Sequence, residues 1–326
     1  MCPHQFIFRR HAWVLSLRKT PTMKHDRVAD SILDLIGDTP VVELRHVASP
    51  RGARVSMKLE QFSPTGASQD RLARALFQKL GLAHSPSTDV TVFLPTLGNT
   101  AVSLAMVCAM KKVKLVAVMP EHMSLERRQL LSAWGVKAEL TPREGGYAGA
   151  VVRARQLAQA TRGGLFFDAS VEAPLFDAHE QTGRELLETI VADGGRLDAF
   201  VCGAGTGALL SGVARTLKKA FPEAKVILVT PSTLSPVHRL AGLGMQLETS
   251  VLDTSWVDLV ETVSEESAWE MVSRLGREEG LLVGLSSAAN VVAALRVAAR
   301  LSPEGRVYTV AFDSGERDFS MADQFS

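Results

Sequence analysis

Apolar and polar positions along the chain form a repeated series of strand-like and helix-like segments. Short apolar runs rich in β-branched residues, such as VSMKLE at 55–60 and KLVAVMP at 114–120, are typical of buried strands. Each run precedes a longer segment with helical spacing of apolar residues, and Ser124 as an N-cap and Gly135 as a stop mark one such helix. The predicted helices cover residues 70–80, 100–112, 124–135, 147–161, 178–191, 208–220, 265–279 and 287–299.

This alternation predicts an α/β fold. Strands that are apolar along nearly their whole length are buried on both faces, as in parallel sheets covered by helices on each side. A final strand, VYTVAFD, is expected close to the end of the chain, after an irregular region that extends to about residue 255. The sequence contains no internal repeat and no low-complexity linker, so a division into domains has to arise from crossings of the chain.

Composition narrows the class of protein. The 326 residues include 36 Lys and Arg against 35 Asp and Glu, which gives no electrostatic reason to expect nucleic acid or an anionic membrane as a partner. No run is long and apolar enough to span a bilayer. The three cysteines, Cys2, Cys108 and Cys202, lie far apart, which favours a reducing cytoplasm over a disulfide framework or a metal site. Cys108 and Cys202 stand in apolar runs and are expected to be buried thiols.

The first 30 residues differ from the rest of the chain. They are basic and contain no acidic residue before Asp26, a composition that a presequence would share. We expect instead a disordered extension, or a start codon placed too early with Met23 as the true first residue.

Four loops combine glycine with polar residues after a predicted strand or an apolar run, and α/β folds bind ligands in loops beyond the carboxyl ends of their strands. Taken singly, each has an ordinary explanation: a capped helix start, tight packing in place of phosphate binding, Ser286 as an N-cap, or a surface turn. The glycine loop is not a dinucleotide fingerprint, because position 208 is alanine, and no Walker lysine follows it. The loops are PTLGNTA (95–101), GAGTGALLSG (203–212), GLSSAAN (284–290) and DSGER (313–317).

In order along the chain, these segments resemble the cysteine synthase and cystathionine β-synthase family of fold-type II, pyridoxal-phosphate-dependent enzymes. The resemblance runs from about residue 31 to 319. It includes IGDTPVVEL near the start, KLEQFSPTGASQDR, PTLGNTAVSLAM, MPEHMSLERRQLLSAWGVKAELT, GAGTGALLSGVARTLKK, EGLLVGLSSAANVVAALRVA and the closing DSGER.

The resemblance implies two α/β domains, each a mainly parallel twisted sheet with helices on both faces, and a cofactor in the cleft between them. The larger domain would comprise residues 31–62 and 175–326, and the smaller one residues 63–174. It also implies a cytoplasmic homodimer and β-elimination or β-replacement on serine-derived amino acids, with pyridoxal phosphate held as a Schiff base by a lysine.

Carried over residue by residue, the resemblance gives a mixed picture. Gln69 stands where the Schiff-base lysine is expected, and a carboxamide can neither form that bond nor take a proton. Asn99 matches the residue beside the phenolic oxygen of the cofactor and Ser286 the partner of its pyridine nitrogen. Thr96 and Thr100 match positions near the substrate carboxylate. The phosphate loop keeps three of its residues, Gly205, Thr206 and Gly207.

Six departures converge on the same pocket. They lead us to expect a degenerate member, a pseudoenzyme or repurposed homologue, that keeps the fold and cleft but holds no cofactor covalently. The loss of a hydroxyl at position 97 or 209 would weaken the binding of an anion by about 1.5–3 kcal/mol each. Any binding of pyridoxal phosphate is therefore expected to be weak. One alternative is an active enzyme on O-activated serine that uses another lysine, with Lys58 nearest in sequence; another is an engineered Lys→Gln variant. The departures are Ala67, Gln69, Leu97, Ala101, Ala208 and Leu209.

Overall fold

The computed structural model describes residues 28–79, 89–169, 175–233, 240, 243 and 251–321. The predictions for the basic N-terminal residues, and for part of the irregular region before residue 255, lie outside this part of the chain.

Ten strands are present among the described residues, and they form two sheets. In chain order they are β1 (Val41–Leu44), β2 (Arg54–Leu59), β3 (Thr91–Pro95), β4 (Lys114–Pro120), β5 (Lys137–Thr141), β6 (Gly164–Phe166), β7 (Ala199–Gly203), β8 (Lys225–Pro231), β9 (Leu259–Val263) and β10 (Arg306–Ala311).

The larger sheet has the order β1-β2-β10-β7-β8-β9, and only its edge pair β1–β2 is antiparallel. The smaller sheet has the order β5-β4-β3-β6 and is parallel throughout. Central strands such as β7, in which all five residues are buried, are apolar along their whole length because helices cover both faces. The predicted α/β class with parallel sheets is therefore confirmed.

Eight α-helices connect the described strands. They are α1 (Gln69–Lys79), α2 (Asn99–Lys111), α3 (Leu125–Ala133), α4 (Gly146–Ala160), α5 (Leu175–Ala192), α6 (Ala208–Ala220), α7 (Glu265–Arg274) and α8 (Leu285–Ala298). A π-helical turn, Leu275–Glu279, continues α7.

Several sequence predictions agree in detail with these elements. The predicted helix 208–220 coincides with α6, and the Ser124 hydroxyl accepts a hydrogen bond from Arg127 N as the N-cap of α3. The free thiols of Cys108 and Cys202 are buried, as expected from their apolar runs. Burial raises the pKa of Cys108 to about 12, so this thiol stays protonated and inert at neutral pH.

Among the described residues, no helix is long and apolar enough to cross a membrane. Within the same ranges, no group of three histidine, cysteine, aspartate or glutamate side chains is placed to hold a metal ion.

The two sheets bring their ligand-binding loops to one place. Residues that follow β2 pair with residues that follow β10, through a bridge between Ala67 and Asp313 and a hydrogen bond of 2.8 Å from Ser68 N to Phe312 O. The loops after β3 and β7 open into α2 and α6 at the same cleft. Three of the four loops predicted from sequence therefore contribute lining residues to one cleft. The fourth, DSGER, contacts it through Asp313 and Arg317, which hydrogen-bond to Asn99.

Candidate active-site cleft

A cleft of about 920 Å³, a volume that includes solvent at its mouth, lies where these loops meet. It contains every residue predicted to contact cofactor or substrate, together with several that the sequence does not predict. Of the six departures expected to converge here, Gln69, Leu97 and Leu209 line the cleft. The other three, Ala67, Ala101 and Ala208, are buried and are not among its lining residues. The lining residues are Ser68, Gln69, Leu72, Pro95, Thr96, Leu97, Gly98, Asn99, Thr100, Arg127, Tyr147, Ala169, His179, Gly203, Ala204, Gly205, Thr206, Gly207, Leu209, Ser286 and Phe312.

Gln69 is the first residue of α1 and lines the cleft. Its Oε1 atom accepts a hydrogen bond of 3.2 Å from the Ser68 hydroxyl. No lysine occurs among the described residues that line the cleft.

Lys58, the other amine considered from sequence, lies outside this lining. It is fully buried on β2, where Nζ donates to Thr39 O at 2.9 Å and pairs with Glu185 Oε2 at 2.9 Å. Both contacts hold the amine away from the cleft, so the structure does not support Lys58 as a replacement for the missing lysine.

A buried network of charges fixes the start of α1. Arg71 contacts both carboxylate oxygens of Glu60 and both of Glu185, at 2.7–2.8 Å. Burial alone would raise the pKa of Glu185, but hydrogen bonds and charge from Arg71 and Lys58 outweigh it, so this pKa lies well below its usual value. The helix start that presents Gln69 is therefore held firmly even though its reactive amine is absent.

Asn99 lies in the cleft as predicted, yet polar groups of the protein occupy most of its side chain. Its Nδ2 atom donates to Asp313 Oδ2 at 2.6 Å, while Oδ1 accepts from Arg317 Nη1 at 2.8 Å and from Arg127 Nε at 3.2 Å. Arg127 also donates to Asp318 Oδ1 at 2.9 Å. This cluster joins the start of α2 to the segment after β10, and only one N–H of the Asn99 amide is left for a ligand.

The residues predicted near a substrate carboxylate are also brought together. Thr96 is buried, and its hydroxyl accepts a hydrogen bond of 2.9 Å from Gly98 N, which shapes the turn before α2. Thr100 is half-buried in the first turn of α2 and lines the cleft beside Leu97. An anion placed here would contact the Leu97 side chain, which offers no hydrogen bond.

The glycine loop lies at the N-terminus of α6, where free amide groups favour an anion. Gly207 has a φ of 91°, and a Cβ atom there would approach Leu252 Cα to 2.6 Å, so the loop requires glycine for its own packing. Leu209 adds an apolar side chain to the same wall. Ser286 lines the cleft in the first turn of α8, whose N-cap is Gly284, so Ser286 is not the cap.

Three ionisable lining residues were not predicted from the sequence: Arg127, Tyr147 and His179. The Tyr147 hydroxyl donates to Asp168 Oδ1 at 2.7 Å. Burial lowers the pKa of His179 to about 4, which keeps the imidazole neutral at physiological pH. Arg127 belongs to a segment already singled out by its resemblance, whereas no motif marks the other two.

Comparisons with known proteins agree with this architecture. Cysteine synthase from Staphylococcus aureus (strain Mu50 / ATCC 700699) is 40% identical over 301 residues, which cover 89% of this chain and 96% of the relative.

Solved structures give the same picture. A hydrogen sulfide-producing enzyme from Fusobacterium nucleatum superposes with a TM-score of 0.81 at 31% identity, over 89% of this chain and 99% of the other. O-acetylserine-dependent cystathionine β-synthase from Helicobacter pylori gives a TM-score of 0.81 at 29% identity, covering 91% and 99%. A mutant of O-ureido-L-serine synthase with O-ureido-L-serine bound gives 0.82 at 36% identity, covering 90% and 93%.

A sequence model of the family described as "Pyridoxal-phosphate dependent enzyme" matches residues 32–313, which is most of the chain. Together with the relatives and the shared architecture, this match shows that the chain belongs to the pyridoxal-phosphate-dependent enzyme family, and that it is similar to cysteine synthases within it.

Proposed function

We propose that this chain binds pyridoxal phosphate in its cleft without a covalent bond to the protein, and that it has lost the lysine-dependent chemistry of its relatives. One observation carries the proposal: Gln69 occupies the start of α1 in the cleft, and none of the described lining residues is a lysine. A carboxamide is neither nucleophilic nor basic at neutral pH, so it cannot replace a lysine amine.

The donor groups of the cleft fit a non-covalently held cofactor. The amides at the N-terminus of α6, next to Gly205 and Gly207, would hold its phosphate. Ser286 and the remaining N–H of Asn99 would contact heteroatoms of its ring. When bound, pyridoxal phosphate supplies an electron sink for carbanions of amino acids. The residues of this chain would bind and orient the cofactor, but no amine among the described lining residues would anchor it.

The second candidate is an active β-replacement or β-elimination enzyme on O-activated serine. The comparisons support this reading better than loss of activity, because the relatives and structural neighbours reported above are all named as enzymes. It requires an amine from a residue other than Lys58, or chemistry that does without a lysine. A neighbouring mutant with O-ureido-L-serine bound supports the retention of amino-acid binding in this fold.

One experiment separates the two candidates. Wild-type protein and the Gln69→Lys variant are supplied with pyridoxal phosphate, O-acetylserine and sulfide, and cysteine formation is measured. We expect no turnover by wild type and a lysine-linked cofactor only in Gln69→Lys, with Gln69→Met as the matched control that adds no amine. Turnover by wild type would overturn the proposal, whereas full turnover by Gln69→Lys alone would indicate that position 69 is the decisive loss.

We also propose the assembly and domain division that accompany this family resemblance. One domain would comprise residues 31–62 and 175–326, because these residues contain β1, β2 and β7–β10 of the larger sheet. The other domain would comprise residues 63–174, which contain β3–β6 of the smaller sheet. Sedimentation equilibrium should give twice the chain mass for a homodimer, and a monomer mass would contradict this part of the proposal.

A further inference from the structure

His179 is a buried polar side chain that the proposed function has not used. It lies on α5 and lines the cleft, although only 3% of its surface is exposed. Its Nδ1 atom lies 3.2 Å from the Thr182 hydroxyl, almost one helical turn further along α5. Among the described residues, only Nδ1 of this ring has a hydrogen-bond partner, and Nε2 is not one of the buried side-chain atoms left unpaired.

A ring nitrogen that the protein neither pairs nor fully encloses can bond to water or to a ligand in the cleft. Two other ionisable side chains in the lining are already engaged, Arg127 with Asp318 and Tyr147 with Asp168. Within the described lining, His179 is therefore the ionisable side chain that offers a nitrogen to whatever fills the cleft.

We infer that His179 contacts the ligand directly, with Nδ1 kept by Thr182 and Nε2 hydrogen-bonded to the ring of bound pyridoxal phosphate. This inference rests on the proposed function, because it assigns a further contact to the same ligand. His179 would position the ring in the absence of the lysine that holds it in other members of the family.

The electrostatic surroundings keep this imidazole neutral. Burial lowers the pKa of His179 most strongly; the charges of Glu60 and Glu185 raise it and the charge of Arg71 lowers it. Lys58 pairs with Glu185, which moderates the effect of that carboxylate. A neutral imidazole carries one N–H donor and one acceptor nitrogen, so it can serve Thr182 and a ligand at the same time.

Two substitutions separate the ring nitrogens. The amide nitrogen of a glutamine reaches about as far as Nε2, while the amide of an asparagine reaches only as far as Nδ1. His179→Gln should therefore keep the ligand contact, and His179→Asn should keep the contact with Thr182 but lose the contact with the ligand. Thr182→Val is a control that removes the partner of Nδ1 alone.

The probe is pyridoxine 5′-phosphate, which has no aldehyde and cannot bond covalently to any lysine. Isothermal titration should show that His179→Asn weakens its binding about 3- to 10-fold, the loss of one hydrogen bond. His179→Gln should stay within about twofold of wild type. Inorganic phosphate, titrated in parallel, should bind all three proteins equally because it needs only the glycine loop.

The outcomes are distinct. Wild-type binding of the probe with unchanged affinity in His179→Asn would overturn this inference and leave the proposed function standing. Equal weakening in both variants, or weaker phosphate binding in His179→Asn, would show general damage to the cleft and would also overturn it. Failure of wild type to bind the probe would refute the proposed function together with the inference.

Discussion

The buried charges behind the cleft provide the sharpest prediction of stability. In Arg71→Met the guanidinium is replaced by an apolar side chain of similar length. Glu60, which is fully buried, then loses its cationic partner, and Glu185 retains only Lys58 at 2.9 Å. Two carboxylates that shared four hydrogen bonds from one arginine would remain in an interior that solvates them poorly.

The cost follows from breaking a buried ion pair at one partner, about 3–5 kcal/mol, which is a large share of the 5–15 kcal/mol that typically stabilises a protein. In wild type the pKa values of Glu60 and Glu185 are both lowered. The network therefore stabilises the fold above the unfolded glutamate pKa of about 4.3, and this contribution is lost as the pH falls through the folded values. The deficit of Arg71→Met should accordingly be largest at neutral pH and shrink in acid, as its carboxylates become protonated.

Urea unfolding at neutral pH and at mildly acidic pH measures this difference. The matched control is Arg153→Met, which removes an exposed pair with Glu139 and should cost at most about 1 kcal/mol. A loss in Arg71→Met no larger than that of the control, or a loss that grows as the pH falls, would mean that Arg71 does not offset the charge of these buried carboxylates.

Three further results are expected. Gly207→Ala should lower the free energy of unfolding by about 1–3 kcal/mol and abolish phosphate binding, because of the positive φ and the approach to the backbone of the neighbouring loop; unchanged phosphate titration would contradict this. Asp313→Ala should cost about 1–3 kcal/mol in urea unfolding, because the Asn99 amide loses its acceptor, and a neutral effect would show that the cluster is dispensable. Cys108 and Cys202 should resist a thiol reagent in the native protein and react only on unfolding; rapid native labelling would mean that the thiols are accessible.

Segments with a strong apolar pattern were predicted well from the sequence, because local spacing determines them. α6 matches its predicted range, whereas α5 begins at Leu175, three residues before its predicted start at 178. The short strands β1 and β9 were not predicted as strands. They lie at the two edges of the larger sheet, where β1 is only half-buried at three of its four positions and β9 is largely exposed. Neither therefore forms the long apolar run by which the central strands were recognised.

Some residues of the candidate site could likewise be predicted from the sequence, and others could not. The glycine loops and the position of Gln69 could be predicted from motifs, because each motif lies within one short continuous segment of the sequence. The partners of Asn99 could not, because Asp313 and Arg317 are more than 200 residues away along the chain and meet it only in the folded protein. His179 belongs to no motif, and its importance comes from its place in the cleft and from its Nε2 atom, for which no protein partner is described.

The proposed function requires that the cleft bind pyridoxal phosphate without forming a covalent bond to it. Wild-type protein equilibrated with pyridoxal phosphate is divided in two: one half is reduced with borohydride and its intact mass measured, and the other is dialysed to equilibrium. We predict an unchanged protein mass together with saturable, fully reversible binding of the cofactor. A mass increase of one pyridoxyl phosphate group, mapped to a single lysine, would contradict the account.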